Sequence, residues 1–554
     1  MLDKFRSATT ADIWYFFLLL AQVLLVWLLP YFPTQDGSSH LYNAAILHDL
    51  LNGGKEWGEY FSYDLKATPN LGFNLIVSPL LFFVKPLLAE KIFLTIYILL
   101  MGLSVRYFIR TFAPGKPLTV QLLAIPVIFN FTLMMGFYSY SIAVPVFLIA
   151  VALAWRMKRS GALIQFTLCN IAGVTIFYLH LIPFIFFLIA LAVIAVTLKK
   201  LSSPNSFIGD PDVKELKDWI PDNYLGNDRA DRASGELEGI GESSKSAPAG
   251  SVCWGLFLQR IAIMLPLVVL LVSYLGKSKN SGAPADFSYL LSADRFMTLF
   301  SDLFTFSTVS LSPLQVIPAA TAMFVTLLLM RSLVKDSRTD RVTFDAGQKT
   351  LVILAACLTV IYFAAPFRFG EGSFFNDRFL WVILMIILPL LACVNNKAAS
   401  AASVGMIGVA VLSVALNIFV FRQQSDEVAA FLSGVESGCK KGDGVLLYRT
   451  VRPPWPKVDV LLHAASYYGM FNGCVDLGNY EPTMPYFPIR FRQDVSTLPG
   501  ELAFAYGKGE IDFAKYPVIK RVIGWDLKAD EVRKMGGVFE RVFVNDRLMI
   551  LSRR

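Results

Sequence analysis

The sequence predicts a polytopic α-helical membrane protein with about eleven transmembrane helices and a C-terminal extracytoplasmic α/β domain. Three observations carry this. Only 17% of the 554 residues are charged, 55% are hydrophobic, and the mean hydropathy is +0.55; a soluble chain carries roughly 25% charged residues. Apolar runs near or above the roughly 20 residues that cross a bilayer recur along the chain. The Lys and Arg residues between the runs alternate as the loops of a membrane protein do. The net charge of +8 therefore needs no nucleic acid as a partner, because basic cytoplasmic loops account for it.

The runs expected to span are 13–32, 90–112, 118–136, 139–155, 161–180, 182–198, 253–275, 311–331, 348–366, 378–394 and 399–421. The first is too long for the apolar part of a signal peptide, and no small-residue cleavage site follows it, so it is expected to remain as a helix. With Lys4 and Arg6 inside, the later inside segments hold Arg106, Arg110 and Lys116, then Arg156, Lys158 and Arg159, then the loop from Lys199. Arg331, Lys335, Arg338, Arg341 and Lys397 follow the same side, and the turns near 137 and 181 hold no Lys or Arg. This requires that 71–88, "LGFNLIVSPLLFFVKPLL", does not cross. Pro79, Lys85 and Pro86 make it a poor spanning helix, and a juxtamembrane helix is expected there. An odd number of spans places the C-terminus outside. The expected location is the cell (inner) membrane, multi-pass, with a cytoplasmic N-terminus.

Residues 1–421 thus form a membrane module, with a first outer loop at 33–70 and a cytoplasmic loop at 199–251. The Pro, Gly, Ser and mixed charge of that second loop predict mobility. Residues 422–554 form the outer domain. There "GVLLYRTV", "YPVIKRVIGW", "VFERVFV" and "RLMILS" read as strands, and 458–470 and 529–536 as helices, an α/β alternation. Cys169, Cys357 and Cys393 fall in spans and Cys253 at an inner edge. Cys439 and Cys474 lie in the outer domain, where a disulfide is expected in an oxidising compartment, two separate thiols being the alternative.

The stretch "PYFPTQDGSSHLYNAAILHDL" leaves the first span and is polar at its centre. Gly37 is expected to turn the chain and Ser38 to cap a helix from His40. That helix, with Leu41, Ala44, Ala45, Leu47 and Leu51, reads as amphipathic and lying on the outer leaflet. Asp36 then either stays a solvated turn residue or faces a cavity as a general base. All four histidines, His40, His48, His180 and His463, fall on the outer side. Their number and spacing make no zinc motif, no cofactor is called for, and a divalent metal stays open. Cations against the inside trend are Lys55, Lys66, Lys85, Lys277, Lys279, Arg295, Arg368 and Arg378. Arg378, in "EGSFFNDRFLWVILMIILPLL", either snorkels to the interface or offers its planar fork to a phosphate. Lys66 and Arg295 are further candidates for that phosphate.

The layout around "PTQDGSSHLYNAAIL" and "NLGFNLIVSPLLFFV" resembles the GT-C superfamily of integral-membrane glycosyltransferases. It is most similar to the bacterial branch of aminoarabinose transferases, protein O-mannosyltransferases and Rgt-type transferases. The resemblance implies a GT-C-like fold and a hexosyl- or pentosyltransferase that uses a sugar on a polyprenyl phosphate. It implies Asp36 as the base that deprotonates the acceptor hydroxyl, with Arg378 and Lys66 on the donor phosphate. Two departures stand out: the family's Asp-Glu is Asp36-Gly37 here, and the next outer turn, "MMGFYSYSIAV", holds Tyr138 and Tyr140 but no acid.

The expected function is transfer of that sugar to an extracytoplasmic acceptor (glycan, lipid or protein), with the lipid-linked donor and membrane lipids as partners. His40, Tyr138, His180 and His463 are candidate acceptor or supporting residues. "HAASYYGMFNG" and "YEPTMPYFPIRF" either contribute aromatics to the acceptor or pack inside the domain. The alternative function is a transporter or flippase of a lipid-linked sugar, which would call for mid-membrane charge and inverted repeats. A non-catalytic assembly subunit is the third reading.

Overall fold

Helix α1 (Thr10–Leu28) begins on a capping box, with Thr9 Oγ1 accepting from the Asp12 amide and the Asp12 carboxylate accepting from the Thr9 amide. The same carboxylate pairs with Arg106 and accepts from Gln121 Nε2 at 3.0 Å, which compensates its burial. The computed structural model describes residues 9–65, 68–157, 162–201, 249–278, 292–339, 342–367, 373–394, 396–449, 457–484, 486–492 and 511–554. After α1 come α2 (Gly37–Leu51), strand β1 (Phe61–Tyr63), α3 (Gly72–Leu80) and α4 (Pro86–Phe112). With nine residues, α3 is roughly 14 Å long, under half of a bilayer core. Pro86 at the first position of α4 restarts the helix.

The span expected over 118–136 is not one helix. A 3₁₀ turn (Leu118–Ala124) is followed by α5 (Ile125–Ile128) and α6 (Phe131–Met134). The Asn130 side chain caps α6 by accepting from the Leu133 amide at 3.1 Å. Broken backbone at membrane depth requires partners from the protein. Gln22 Nε2 donates to the Ile125 carbonyl and Tyr97 Oη to the Ile128 carbonyl, both at 2.9 Å. Pro126 and the cap-forming Asn130 explain why an apolar run that looks continuous folds in pieces.

The bundle continues with α7 (Tyr138–Arg156), α8 (Ala162–Leu179), α9 (Leu181–Leu201), α10 (Ala249–Ser278), α11 (Ala293–Thr305), α12 (Val316–Arg338), α13 (Ala346–Ala364), α14 (Asp377–Leu391) and α15 (Asn396–Phe431). Six helices among the described residues are long and apolar enough to cross a membrane, and shorter apolar helical stretches accompany them. The loop expected to be mobile, 199–251, lies mostly outside the described residues. The sequence expectation contained no α11. Its Phe296, Leu299, Phe300, Leu303 and Phe304 follow a helical period, and Ser292 caps it by accepting from the Arg295 amide at 3.1 Å. At 36 residues, α15 is roughly 54 Å long. It outruns the bilayer and leads through α16 (Val435–Gly438) into the C-terminal domain.

That domain is a five-stranded sheet of order β3-β2-β5-β7-β6. Its strands are β2 (Gly444–Tyr448), β3 (Val475–Asp476), β5 (Ile519–Trp525), β6 (Phe539–Asn545) and β7 (Leu548–Arg553). β2 runs parallel to β3 and β5, while β7 runs antiparallel to β5 and β6. Helix α17 (Ala465–Asn472) connects β2 to β3, and α18 (Ala529–Met535) connects β5 to β6. Cys439 and Cys474 form a disulfide, with Cα atoms 6.4 Å apart.

The domain is knitted to the first loop. β1 pairs antiparallel with β4 (Ile489–Phe491), Phe61 opposite Phe491. Helix α2 does not lie on a membrane surface. Ser38, Ser39, Leu41, Tyr42, Asn43, Ala44, Ile46 and Leu47 are all buried, and one face packs with Leu446, Val475, Ile519 and Val522 of the sheet. Tyr42 Oη donates to the Cys474 carbonyl at 2.7 Å. The pattern read as amphipathic is buried on its polar side too, because the domain supplies partners there. Ile46→Ala, at a fully buried position of this seam, is expected to cost about 2–5 kcal/mol, read as a fall in the denaturant midpoint of the purified protein.

Candidate active site

The geometry around Asp36 starts with backbone. Between α1 and α2 the chain pairs with the segment after α6: the Gln35 amide donates to the Met134 carbonyl at 3.0 Å and the Asp36 amide to the Met135 carbonyl at 3.2 Å. Gly136 sits at φ +91° against Asp36, and a Cβ there would lie 2.8 Å from Asp36 Cβ. Glycine satisfies both the left-handed backbone and the close approach.

Two local expectations are corrected. Ser38 does not cap: Asp36 is the N-cap residue, without a side-chain cap bond, and Ser38 Oγ donates to the His463 carbonyl at 2.9 Å. Gly37 is not a turn of special conformation but the first residue of α2. Its lack of a side chain is required by crowding, since a Cβ would collide with Thr34 Oγ1 and lie 2.6 Å from Tyr138 Oη and 3.2 Å from Glu90 Oε1.

The Asp36 side chain is therefore left for other partners. It is buried, at 6% exposure. Gln35 Nε2 donates to Oδ1 at 3.2 Å, Tyr480 Oη donates to Oδ2 at 3.3 Å, and His463 Nε2 stands 3.6 Å from Oδ1. Burial pushes its pKa up to about 6, with the charge of His40 and the bonds from Gln35 and Tyr480 pulling the other way. His40, one turn along α2, does not turn its ring on Asp36. Its Nδ1 meets Glu481 Oε1 at 2.7 Å, and its pKa is raised, burial opposing and Glu481 and Asp36 prevailing. His463 is pushed down to about 3, by burial first and by the charges of His40 and Arg449. The two histidines are thus pushed in opposite directions, His40 toward its charged form and His463 toward its neutral form.

A hydrogen-bond network surrounds this pair. Ser39 Oγ bonds to Asn479 Oδ1 and Glu481 Oε1, each at 3.1 Å. Asn43 and Asn479 exchange bonds at 3.0 Å in both directions. Tyr138 Oη donates to Glu90 Oε1 at 2.6 Å and meets Thr34 Oγ1 at 2.9 Å. Glu90, Asn479, Tyr480 and Glu481 carried no expectation of their own. Glu90 had a signal, a lone carboxylate at the start of an apolar run, where ionisable groups are costly and kept for a purpose. Tyr480 and Glu481 open the quoted "YEPTMPYFPIRF", but no spacing ties that stretch to residue 36.

Arg378 lies in the first turn of α14 and is 9% exposed. Its guanidinium stacks on Phe137 at 4.5 Å and stands 3.4 Å from His180 Nε2 by way of Nη1, while Nη2 donates to the Ser373 carbonyl at 3.3 Å. Among the described residues it forms no ion pair, and its Nε has no hydrogen-bond partner. Phe137 follows Gly136, which touches Asp36, and the Phe137 ring carries the Arg378 guanidinium. The acid and the cation therefore belong to one end of the bundle, bridged by the 136–137 turn. His40 and His463 join the Asp36 side, Tyr138 stands beside it, and His180 joins the Arg378 side. Arg295 is engaged elsewhere: it donates to the Phe363 carbonyl at 3.1 Å and to the Ala365 carbonyl, closing the end of α13. Lys66 lies outside the described residues. Among the described residues no group of His, Cys, Asp and Glu is arranged to hold a metal ion.

No family model and no curated protein matches the chain. Among solved structures, ArnT from Cupriavidus metallidurans bound to undecaprenyl phosphate aligns with 97% of this chain and 98% of its own, at 11% identity and a TM-score of 0.39.

Two substitutions separate crowding from capping. Gly37→Ala must displace Thr34 and Tyr138 and is expected to cost about 1–3 kcal/mol. Ser38→Ala removes one hydrogen bond to a carbonyl and is expected to cost about 1 kcal/mol. Chemical denaturation of both variants checks the order; a larger loss for Ser38→Ala would contradict the geometry.

Proposed function

We propose that the chain is a membrane glycosyltransferase that moves a sugar from a polyprenyl-phosphate donor to an extracytoplasmic acceptor, with Asp36 as general base. In this reading the end that carries Asp36, Arg378 and the C-terminal domain faces outward, as the distribution of Lys and Arg predicts. The single observation that carries it is the presence, at one end of the bundle, of a buried carboxylate whose pKa is raised to about 6 and a buried guanidinium that forms no ion pair among the described residues. A general base serves best when its pKa is near the working pH. A buried guanidinium that forms no ion pair is suited to receive an anion from a ligand.

The chemistry follows from these two groups. Asp36 takes the proton of the acceptor hydroxyl as its oxygen attacks the anomeric carbon. The bond from that carbon to the lipid phosphate breaks, and the phosphate leaves with the electron pair. Arg378 meets the charge that develops on it, an electrostatic stabilisation that strengthens in a dry site. Tyr480 and Gln35 hold the carboxylate by its two oxygens, which fixes the direction in which it accepts a proton. One base and one displacement invert the anomeric configuration. His180 and Phe137 hold the guanidinium plane.

Mass spectrometry of lipids retained by the purified protein tests the donor class; a polyprenyl-phosphate sugar is expected, and retention of phospholipids alone would count against it. Asp36→Asn is expected to lower transfer from such a donor by roughly 10²–10⁴-fold while the protein stays folded. Because the Asp36 pKa is raised to about 6, the basic form accumulates above that pH. The rate is expected to climb as pH rises through about 6 and to fade below it; a rate that is flat from pH 5 to 8 would remove Asp36 from the proton transfer. Arg378→Ala is expected to reduce retention of the lipid donor more than binding of the acceptor.

A further inference from the structure

His40 is held from three parts of the chain at once. It belongs to α2, one turn from Asp36. Its Nδ1 meets Glu481 Oε1 of the C-terminal domain at 2.7 Å, and its ring faces the Gly136 carbonyl of the turn beneath Asp36. Both of these groups are acceptors, and an imidazolium, unlike a neutral ring, offers them no lone pair. The rings of Phe73, Tyr138 and Phe487 enclose it at 6.1, 6.1 and 5.8 Å between centroids. Glu481 is buried and His40 largely so, with side-chain exposures of 1% and 11%. An ion pair withdrawn from water in this way depends on further hydrogen bonds to its partners, and Ser39 Oγ stands 3.1 Å from the same Glu481 Oε1.

We propose that Glu481 is the positioning residue by which the C-terminal domain acts on the site: it clasps His40 against the Gly136 carbonyl and so fixes a positive charge one helical turn from Asp36. The acid proposed as base is thereby made dependent on a residue more than 440 positions away in the chain. The domain does more than cover the site, because without Glu481 the cation at His40 has no counter-ion on the domain side among the described residues. The consequence for rate rests on the reading of Asp36 as the general base; the clasp itself does not.

The charged and titratable groups facing His40 are Asp36 on its own element, Glu481 from the domain, Glu90 from α4, Tyr138 from α7 and His463 from the segment before α17. Glu481 raises the His40 pKa by its charge and by its hydrogen bond. Glu481 also acts directly on Asp36, in the direction opposite to His40, and the His40 effect is the larger of the two. Neutralising Glu481 therefore discharges His40 and leaves Asp36 harder to ionise.

The chain has only 4 histidines, so the full-length protein labelled with ¹⁵N-histidine gives four resolvable imidazole pairs. The native protein is expected to show His40 as an imidazolium at pH 7, with His40→Gln supplying the assignment. In Glu481→Gln the His40 titration is expected to fall by about one pH unit or more, a differential interaction of about 1.4 kcal/mol per unit, and Glu481→Asp is expected to restore much of it. A neutral His40 in the native protein at pH 7, or a titration that Glu481→Gln leaves in place, overturns the proposal. If Glu481→Gln does not fold, Glu481→Asp, which draws the carboxylate back by one methylene, carries the same test with a smaller downward shift, and no shift there overturns the proposal. Transfer from a polyprenyl-phosphate sugar is measured alongside, and the acid limb of its pH profile is expected to move upward in Glu481→Gln. A protein with no such transfer but with the His40 shift would discard the glycosyltransferase reading and keep the clasp.

Discussion

Charge taken out of water is the constraint on which this end of the molecule depends. A buried ion costs several kcal/mol unless partners replace its hydration. Asp36, Glu90, Arg378 and Glu481 are all buried within one region, and His40 is largely withdrawn from solvent there. No single segment of the chain can satisfy them. The start of α2 supplies Asp36 and His40, α4 supplies Glu90, α14 supplies Arg378, and the C-terminal domain supplies Tyr480 and Glu481. The structure of the seam follows from the need to bring these together.

Helix α2 is the piece that meets this need. Its apolar residues Tyr42, Ala45, Ile46 and Leu47 pack on the sheet side, while Leu41 and Ala44 belong to the core of the bundle. Its polar residues Ser38, Ser39 and Asn43 bond to groups of the domain. A helix that satisfies two bodies must be small where they approach it. Gly37 at its start and Gly136 opposite meet that demand, each leaving no room for a Cβ. The β1–β4 pair extends the same seam by backbone bonds.

The two histidines beside Asp36 show how environment divides one residue type into two roles. His40 faces a carboxylate and a carbonyl and is drawn toward its charged form. His463 faces a carboxylate across a longer gap, beside the charge of His40, and is neutral. A third, His180, accepts from the Ile182 amide at its Nδ1 and stands against the Arg378 guanidinium. His48 sits at the far end of α2 against the Ser78 carbonyl and takes no part in the site. Identity alone would have treated these four as equivalent.

Much of the architecture was legible in the sequence. Spanning helices announce themselves by length and composition, because lipid penalises every polar side chain along them. The strands at 444–448, 519–525, 539–545 and 548–553 announce themselves by β-branched and aromatic residues between turn signals. The break between 118 and 136 was not legible, since Gln22 and Tyr97, which satisfy its free carbonyls, come from other helices. The burial of α2 was misread for a related reason: alternation of polar and apolar residues shows that a helix has two faces, not what covers the polar one. The sequence by itself thus determined the membrane bundle, the α/β domain and a polar patch at Asp36. Only the tertiary structure decided that this patch is sealed by Tyr480, Glu481 and His463, that Arg295 closes a helix end, and that Arg378 is left without an ion pair among the described residues. Composition acts through each segment's own contact with lipid or water, whereas the charge of a buried side chain is set by whichever distant groups the fold brings within a few ångströms.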